Sequence, residues 1–341
     1  MKPIVAISMG DPAGIGPEII VKALMRADVH ALCRPIVVGD AGVMRRAIRF
    51  ANVAATVNPI KRTSEARYAL SAIDVYDLGN VDLETTPIGQ VSAAAGDAAF
   101  NAVRTMIQLA MAGHVHATVT APIHKEALFK AGHHFPGHTE IFAHFTGTQD
   151  YTMMLAAGSF RVVHVSTHVS LRKACDAVTR ERVLAVIGLA HTACRRLGIA
   201  RPKIGVAGLN PHASDGGLFG DEEANHIIPA IADAKAAGID ASGPFAGDTF
   251  FAKAASGVYD CCVAMYHDQG HIPVKLRGFT FDAGTNAWTD VRGINVSLGL
   301  PIVRTSVDHG TAFDQAGKGT ASDASLFDAI EYAAKLAEAP R

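Results

Sequence analysis

The feature that most constrains this chain is its repeated alternation of short, unbroken apolar runs with longer stretches of helical period. Ile4 to Met9, Pro35 to Gly39, Ala117 to Ala121, Met153 to Ala157, Val162 to Thr167, Ile204 to Leu209, Cys262 to Tyr266 and Ile302 to Ser306 are rich in Val and Ile and bounded by turn or polar residues. Between them Pro17 to Arg26, Ala41 to Phe50, Ser92 to Ala112, Arg180 to Leu197, Glu222 to Ala237 and Ser325 to Ala337 read as helices. In the third of these, Ala95, Ala99, Val103, Met106 and Ala110 fall on one face. Apolar strands separated by helices predict an α/β protein whose mostly parallel sheet is covered on both faces. Ligands of such sheets sit at the carboxyl ends of the strands, so the polar clusters that follow the strands acquire meaning.

At 341 residues, 49% of them hydrophobic, the chain can bury a sizeable core, with two lobes as the natural division. Lys plus Arg total 31 against 32 for Asp plus Glu, so no basic surplus points to nucleic acid or an anionic membrane. No apolar stretch reaches the ~20 residues of a membrane helix, and no secretory signal precedes the first strand. Cys33, Cys175, Cys194, Cys261 and Cys262 read as reduced residues of a cytoplasmic protein.

Three of the 16 histidines stand at the ends of apolar runs: His168 after Val162 to Thr167, His212 in Asn210-Pro211-His212-Ala213, and His267 in Tyr266-His267-Asp268-Gln269. Taken singly, each is as readily an ordinary loop or core residue. Together they can bring three imidazoles to one divalent ion, leaving a coordination position open for substrate. Three nitrogens favour Zn, Mn or Co over Mg. Candidate anion donors are Pro136-Gly137-His138-Thr139-Glu140 at a helix start, Lys275 and Arg304. Asn295 offers a neutral hydrogen bond, or is a turn residue. Gly10 to Glu18 joins a strand to a helix but has neither a Walker nor a G-x-G-x-x-G pattern, so a tight structural turn explains much of it. The loop from Arg304 to Gly319 is dense in glycine, hydroxyl and acidic groups, a composition suited to cupping a nucleoside.

Read in order, these segments resemble the PdxA family, the 4-hydroxythreonine-4-phosphate dehydrogenases and their D-threonate and D-erythronate 4-phosphate relatives. The matching stretches are Gly10 to Glu18, Pro136 to Glu140, Thr167-His168, Gly208 to Ala213, Ala264 to Gly270 and Gly299 to Ala312. His309 to Gly319 also resembles the adenosine loop of isopropylmalate and isocitrate dehydrogenases. The resemblance implies their fold, with two α/β/α lobes and a cleft between them: 1–125 plus 300–341, and 126–299. It implies metal ligands at His168, His212 and His267, and substrate contacts at His138, Thr139, Lys275, Asn295 and Arg304. It places NAD, or alternatively NADP, at His309, Gly310, Thr311, Ala312 and Asp314, and makes the protein a homodimer whose site draws on both subunits. The implied reaction is metal-dependent, NAD-linked oxidation with decarboxylation of a 4-phosphorylated four-carbon 3-hydroxy acid, as in pyridoxine biosynthesis. Asp248, Asp268 and Lys275 are the candidates for proton transfer. A dehydrogenase for another hydroxy acid or a dihydrodiol carboxylate, and a metal-dependent hydrolase or lyase without NAD, are the alternatives. Thr280 to Arg292 is longer than the connection usual in relatives, and Pro244-Phe245-Ala246-Gly247-Asp248-Thr249 departs from the usual segment.

Overall fold

The computed structural model describes residues 1–284 and 286–338. The described residues form two compact units, one of Met1–Gln149 with 300–338, the other of Asp150–Gly299. In chain order the strands are β1 (Ile4–Ser8), β2 (Arg34–Gly39), β3 (Thr56–Ile60), β4 (Ala72–Asp77) and β5 (Ala117–Thr120), then β6 (Thr152–Ala157), β7 (Phe160–His164), β8 (Lys203–Ala207), β9 (Asp240–Phe245) and β10 (Cys261–Ala264). They continue as β11 (Phe279–Asp282), β12 (Ala287–Val291), β13 (Ile294–Leu298) and β14 (Val303–Val307).

In the first unit the strand order is β3-β4-β2-β1-β5-β14, and every pairing is parallel. The central strands are buried on both faces, which is why their sequences are continuous apolar runs. Edge strand β3 is half exposed and carries Pro59, tolerated there because an edge does not need every N–H. The helix Ala93–Met111 begins at Ser92, whose hydroxyl accepts the Ala95 N–H at 3.1 Å. Gly96 lets this helix meet the helix Lys125–Lys130 so closely that a β-carbon would lie 2.1 Å from the Ala127 carbonyl oxygen. The same long helix packs against His138–Thr146. Residues 126–149 therefore belong to the first unit, and the second begins at Asp150 rather than at 126 as the sequence suggests.

The second unit has the order β13-β6-β7-β10-β8-β9. The sheet stays mostly parallel here too, with β7, β10, β8 and β9 running parallel, but β13–β6 and β6–β7 are antiparallel. Gly158, at φ +61°, closes the short turn between β6 and β7, whereas a parallel connection needs a crossover of about a dozen residues. Leu155, Phe160, Val162, Phe250, Cys262 and Val274 form its core. The long connection from Thr280 to Arg292 is an antiparallel hairpin of β11 and β12, with Thr285 outside the described residues. Among the described residues no helix is long and apolar enough to cross a membrane.

Candidate active site

In the first unit, β14 delivers Arg304 into the interior, where it is 2% exposed. One guanidinium nitrogen donates to the Thr120 hydroxyl at 2.7 Å, at the end of β5, and another to the Thr139 hydroxyl at 3.3 Å. The group also lies 5.7 Å from the ring centre of Phe142, which is fully buried. Burial pulls its pKa down to about 9 and Glu140 opposes the shift, so Arg304 stays charged at neutral pH. His138 opens the helix His138–Thr146, and its Nε2 is buried with no hydrogen-bond partner among the described residues. Burial first, and then the charge of Arg304, hold this imidazole well below its usual pKa. A charged fork, two hydroxyls and a neutral imidazole thus gather at a helix N-terminus, where the dipole favours an anion. Of the predicted substrate contacts, His138, Thr139 and Arg304 are brought together; sequence reading missed Thr120.

The predicted nucleotide loop is pinned to the Gly10–Glu18 turn. The Thr311 carbonyl accepts the Ile15 N–H at 3.0 Å, and Glu18, 2% exposed, accepts the N–H groups of Gly317 and Gly319. Ala312 adopts φ +42°, a conformation in which its carbonyl accepts from Gln315 and Ala316. The His309 ring contacts the Gly310 carbonyl, and Asp314, exposed, accepts from Gln315. The turn read as merely structural is therefore the anchor of this loop. Its signal was the buried acid Glu18 among glycines that permit close backbone approach.

In the second unit, His168 lies four residues beyond β7 and His267 opens the helix His267–Gly278 just after β10. Their ring centres are 6.0 Å apart. The His267 Nδ1 pairs with the Asp268 carboxylate at 2.7 Å, an arrangement that favours a proton on Nδ1 and a lone pair on Nε2. His271, one turn on, stacks against His267 with ring centres 3.6 Å apart and contacts the His267 carbonyl through Nδ1. His212 is exposed, on a loop whose residues His212 to Gly216 all have positive φ. Among the described residues no three or more His, Cys, Asp or Glu side chains are gathered to hold an ion. The single chain thus pairs His168 with His267 but does not bring His212 into a ligand set with them.

Two residues not singled out from sequence organise these strand ends. Gln269 accepts the Met265 N–H and donates to the Gly208 carbonyl, both at 2.7 Å, tying the end of β10 to that of β8. Glu223 accepts the N–H groups of Leu209 and Asn210 and so fixes the root of the His212 loop. Lys275 shares a helix face with His267 and His271, its ammonium 4.8 Å from the Phe279 ring centre. Asn295 lies on β13 rather than in a turn, donates to the Met153 sulfur, and keeps its Oδ1 buried without a partner among the described residues. Asp248 is exposed at the start of the helix Gly247–Lys253.

The profile described as pyridoxal phosphate biosynthetic protein PdxA matches residues 31–333. The chain belongs to the PdxA family. A Bradyrhizobium diazoefficiens protein, provisionally named D-threonate 4-phosphate dehydrogenase, is 49% identical over 341 residues, covering 97% of this chain and 96% of that protein. Crystal structures of 4-hydroxythreonine-4-phosphate dehydrogenases from Burkholderia phymatum and Klebsiella pneumoniae are each 44% identical, with TM-scores of 0.84 and 0.85. The first alignment covers 100% of this chain and 99% of the other, the second 98% and 100%. The PdxA resemblance read from scattered motifs therefore extends over the whole fold.

Proposed function

We propose that this PdxA protein is an NAD-linked, metal-dependent dehydrogenase that oxidises, with decarboxylation, the secondary hydroxyl of a 4-phosphorylated four-carbon 3-hydroxy acid. D-threonate 4-phosphate is the first choice of substrate, with D-erythronate 4-phosphate and 4-phosphohydroxy-L-threonine as its closest competitors. The observation that carries this reading is the buried, charged Arg304 held by Thr120 and Thr139 beside neutral His138, a set suited to a phosphate dianion. The near-half identity to the Bradyrhizobium protein supports the four-carbon acid.

His168, His212 and His267 are the proposed ligands of a divalent ion, zinc in the first instance. The donor chemistry fits: His267 is oriented by Asp268, and His168 lies within an ion's reach of it. Because His212 projects on an exposed loop beside exposed Leu218 and Phe219, we assign it to the site of a second copy in a homodimer. When bound, the ion supplies Lewis acidity to the hydroxyl and to the charge that develops on decarboxylation. Hydride leaves the carbinol carbon for the nicotinamide, and the hydroxyl proton goes to a base. Loss of carbon dioxide leaves its bonding electron pair on the remaining carbon skeleton, which then takes up a proton. Lys275 is the proton-transfer candidate we favour, since Asp268 is engaged with His267 and Asp248 faces solvent. Asn295, through its buried Oδ1, is assigned to a substrate hydroxyl. The nucleotide is assigned to His309, Gly310, Thr311, Ala312 and Asp314.

NAD reduction assayed over the three phosphorylated acids tests this reading. Turnover of D-threonate 4-phosphate that is lost with chelator and restored by Zn, Mn or Co is expected. Absence of NADH formation with every member of the panel overturns it.

A further inference from the structure

At the carboxyl ends of β1 and β5 the first unit holds a cluster that the proposed chemistry leaves without a role. Asp11 is completely buried. Its Oδ1 accepts the Ala13 N–H at 2.9 Å, and its own N–H donates to the Pro122 carbonyl at 2.8 Å. Its Oδ2 has no hydrogen-bond partner among the described residues, and neither has the buried Nδ1 of His124. The two side chains are close enough to interact electrostatically, and the Glu126 carboxylate also feels His124. Burial pushes the Asp11 carboxyl up to about 6, against the Ala13 hydrogen bond and His124, which favour the ionised form. The partly exposed His124 ring lies nearly parallel to that of Phe313, at 14° and 4.8 Å between centres. Phe313 belongs to the proposed nucleotide loop, and a β-carbon on Gly14 would come within 3.4 Å of its ring.

Buried polar atoms rarely stay unpaired, and here two of opposite potential lie in one cluster. A buried carboxylate behind a partly exposed imidazole is the arrangement that fixes the tautomer of a working histidine and directs its outer nitrogen. We propose that His124, oriented by Asp11 behind it and Phe313 beside it, contacts the bound dinucleotide. With its Nδ1–H directed at Asp11 Oδ2, the ring leaves Nε2 to accept a ribose hydroxyl proton. This assignment rests on the nicotinamide-dinucleotide reading above. It also gives the Gly10–Glu18 turn a second task, because Asp11 is part of that turn.

Calorimetric titration of NAD and, separately, of inorganic phosphate into wild type, His124→Phe, His124→Gln and Asp11→Asn tests the proposal. His124→Phe keeps a ring against Phe313 and removes both nitrogens. It should weaken NAD binding at least about tenfold while leaving phosphate affinity and the unliganded Tm unchanged. His124→Gln should recover part of the loss, and Asp11→Asn should raise KM for NAD more than it lowers kcat. NAD binding by His124→Phe equal to wild type overturns the proposal. So does a parallel loss of Tm and phosphate binding, which marks a purely structural role. Failure of wild type to bind NAD would instead sink the dehydrogenase reading.

Discussion

Burial shifts the Arg304 and His138 pKa values down and that of Asp11 up, and each direction can be measured. The Asp11 carboxyl rises from an ordinary value of 3.8 to about 6, so between those pH values the folded protein holds a proton that the unfolded chain has released. Stability from this group is therefore present below pH 4 and is lost as pH rises through 6; the two-unit shift corresponds to about 3 kcal/mol. Asp11→Asn should stabilise the protein by up to about that amount at pH 8 and hardly at all at pH 4, as read from urea unfolding at both values. His138 contributes with the opposite slope. Its folded pKa lies below the ordinary 6.5, so the unfolded chain takes up the proton first and stability falls as pH drops below 6.5. Arg304 stays charged, and its value lies in the fork. Arg304→Lys keeps the charge but cannot reach Thr120 and Thr139 together, and should raise KM for the phosphorylated acid about 10- to 100-fold with a smaller loss in kcat.

At the scale of elements, glycine and one buried acid decide how closely loops and helices meet. Gly96→Ala would drive a methyl into the Ala127 backbone, so the helix Ala93–Met111 and the segment leading to His138 must separate. A loss of about 3 kcal/mol or more in chemical denaturation is expected, with phosphate binding weakened alongside. Glu18 ties the proposed nucleotide loop to the first helix through the Gly317 and Gly319 N–H groups. Glu18→Gln, which removes the charge but keeps the shape, should cost about 1.5–3 kcal/mol and weaken NAD binding, with little effect on metal content measured by emission spectroscopy. The opposite pattern, metal lost and NAD binding intact, would contradict the proposed assignment of NAD to the first unit and the ion to the second.

For the whole molecule the decisive question is what His212 serves. Among the described residues of its own chain it belongs to no group of three or more metal-ligating side chains, while the rings of His168 and His267 lie 6.0 Å apart. If a second copy supplies it, a mixture of His168→Ala and His212→Ala proteins, each inactive alone, should regain activity after subunit exchange. One site of each mixed dimer would then carry three intact ligands. No recovery in a mixture shown by mass spectrometry to contain heterodimers would refute the shared site.

The amino-acid sequence by itself determined the α/β class, because strands buried on both faces must be written as unbroken apolar runs, and it marked the residues whose chemistry suits a phosphate and an ion. It concealed β3, β4 and β9, where edge position, proline or interspersed acidic residues weaken the apolar signal, the hairpin strands β11 and β12, the buried β13, whose short run is interrupted by Asn295 and Ser297, and the helix His267–Gly278, which carries Gly270 and Pro273. Only the tertiary structure decided that β6 and β7 turn antiparallel, that Thr120 completes the Arg304 fork, and that Glu18 anchors a loop about 300 residues away. The first is a backbone pairing that a two-residue turn permits, and the other two are hydrogen bonds between groups 184 and 299 residues apart, set once the strands have found their neighbours. Local pattern carries burial; it does not carry partnership.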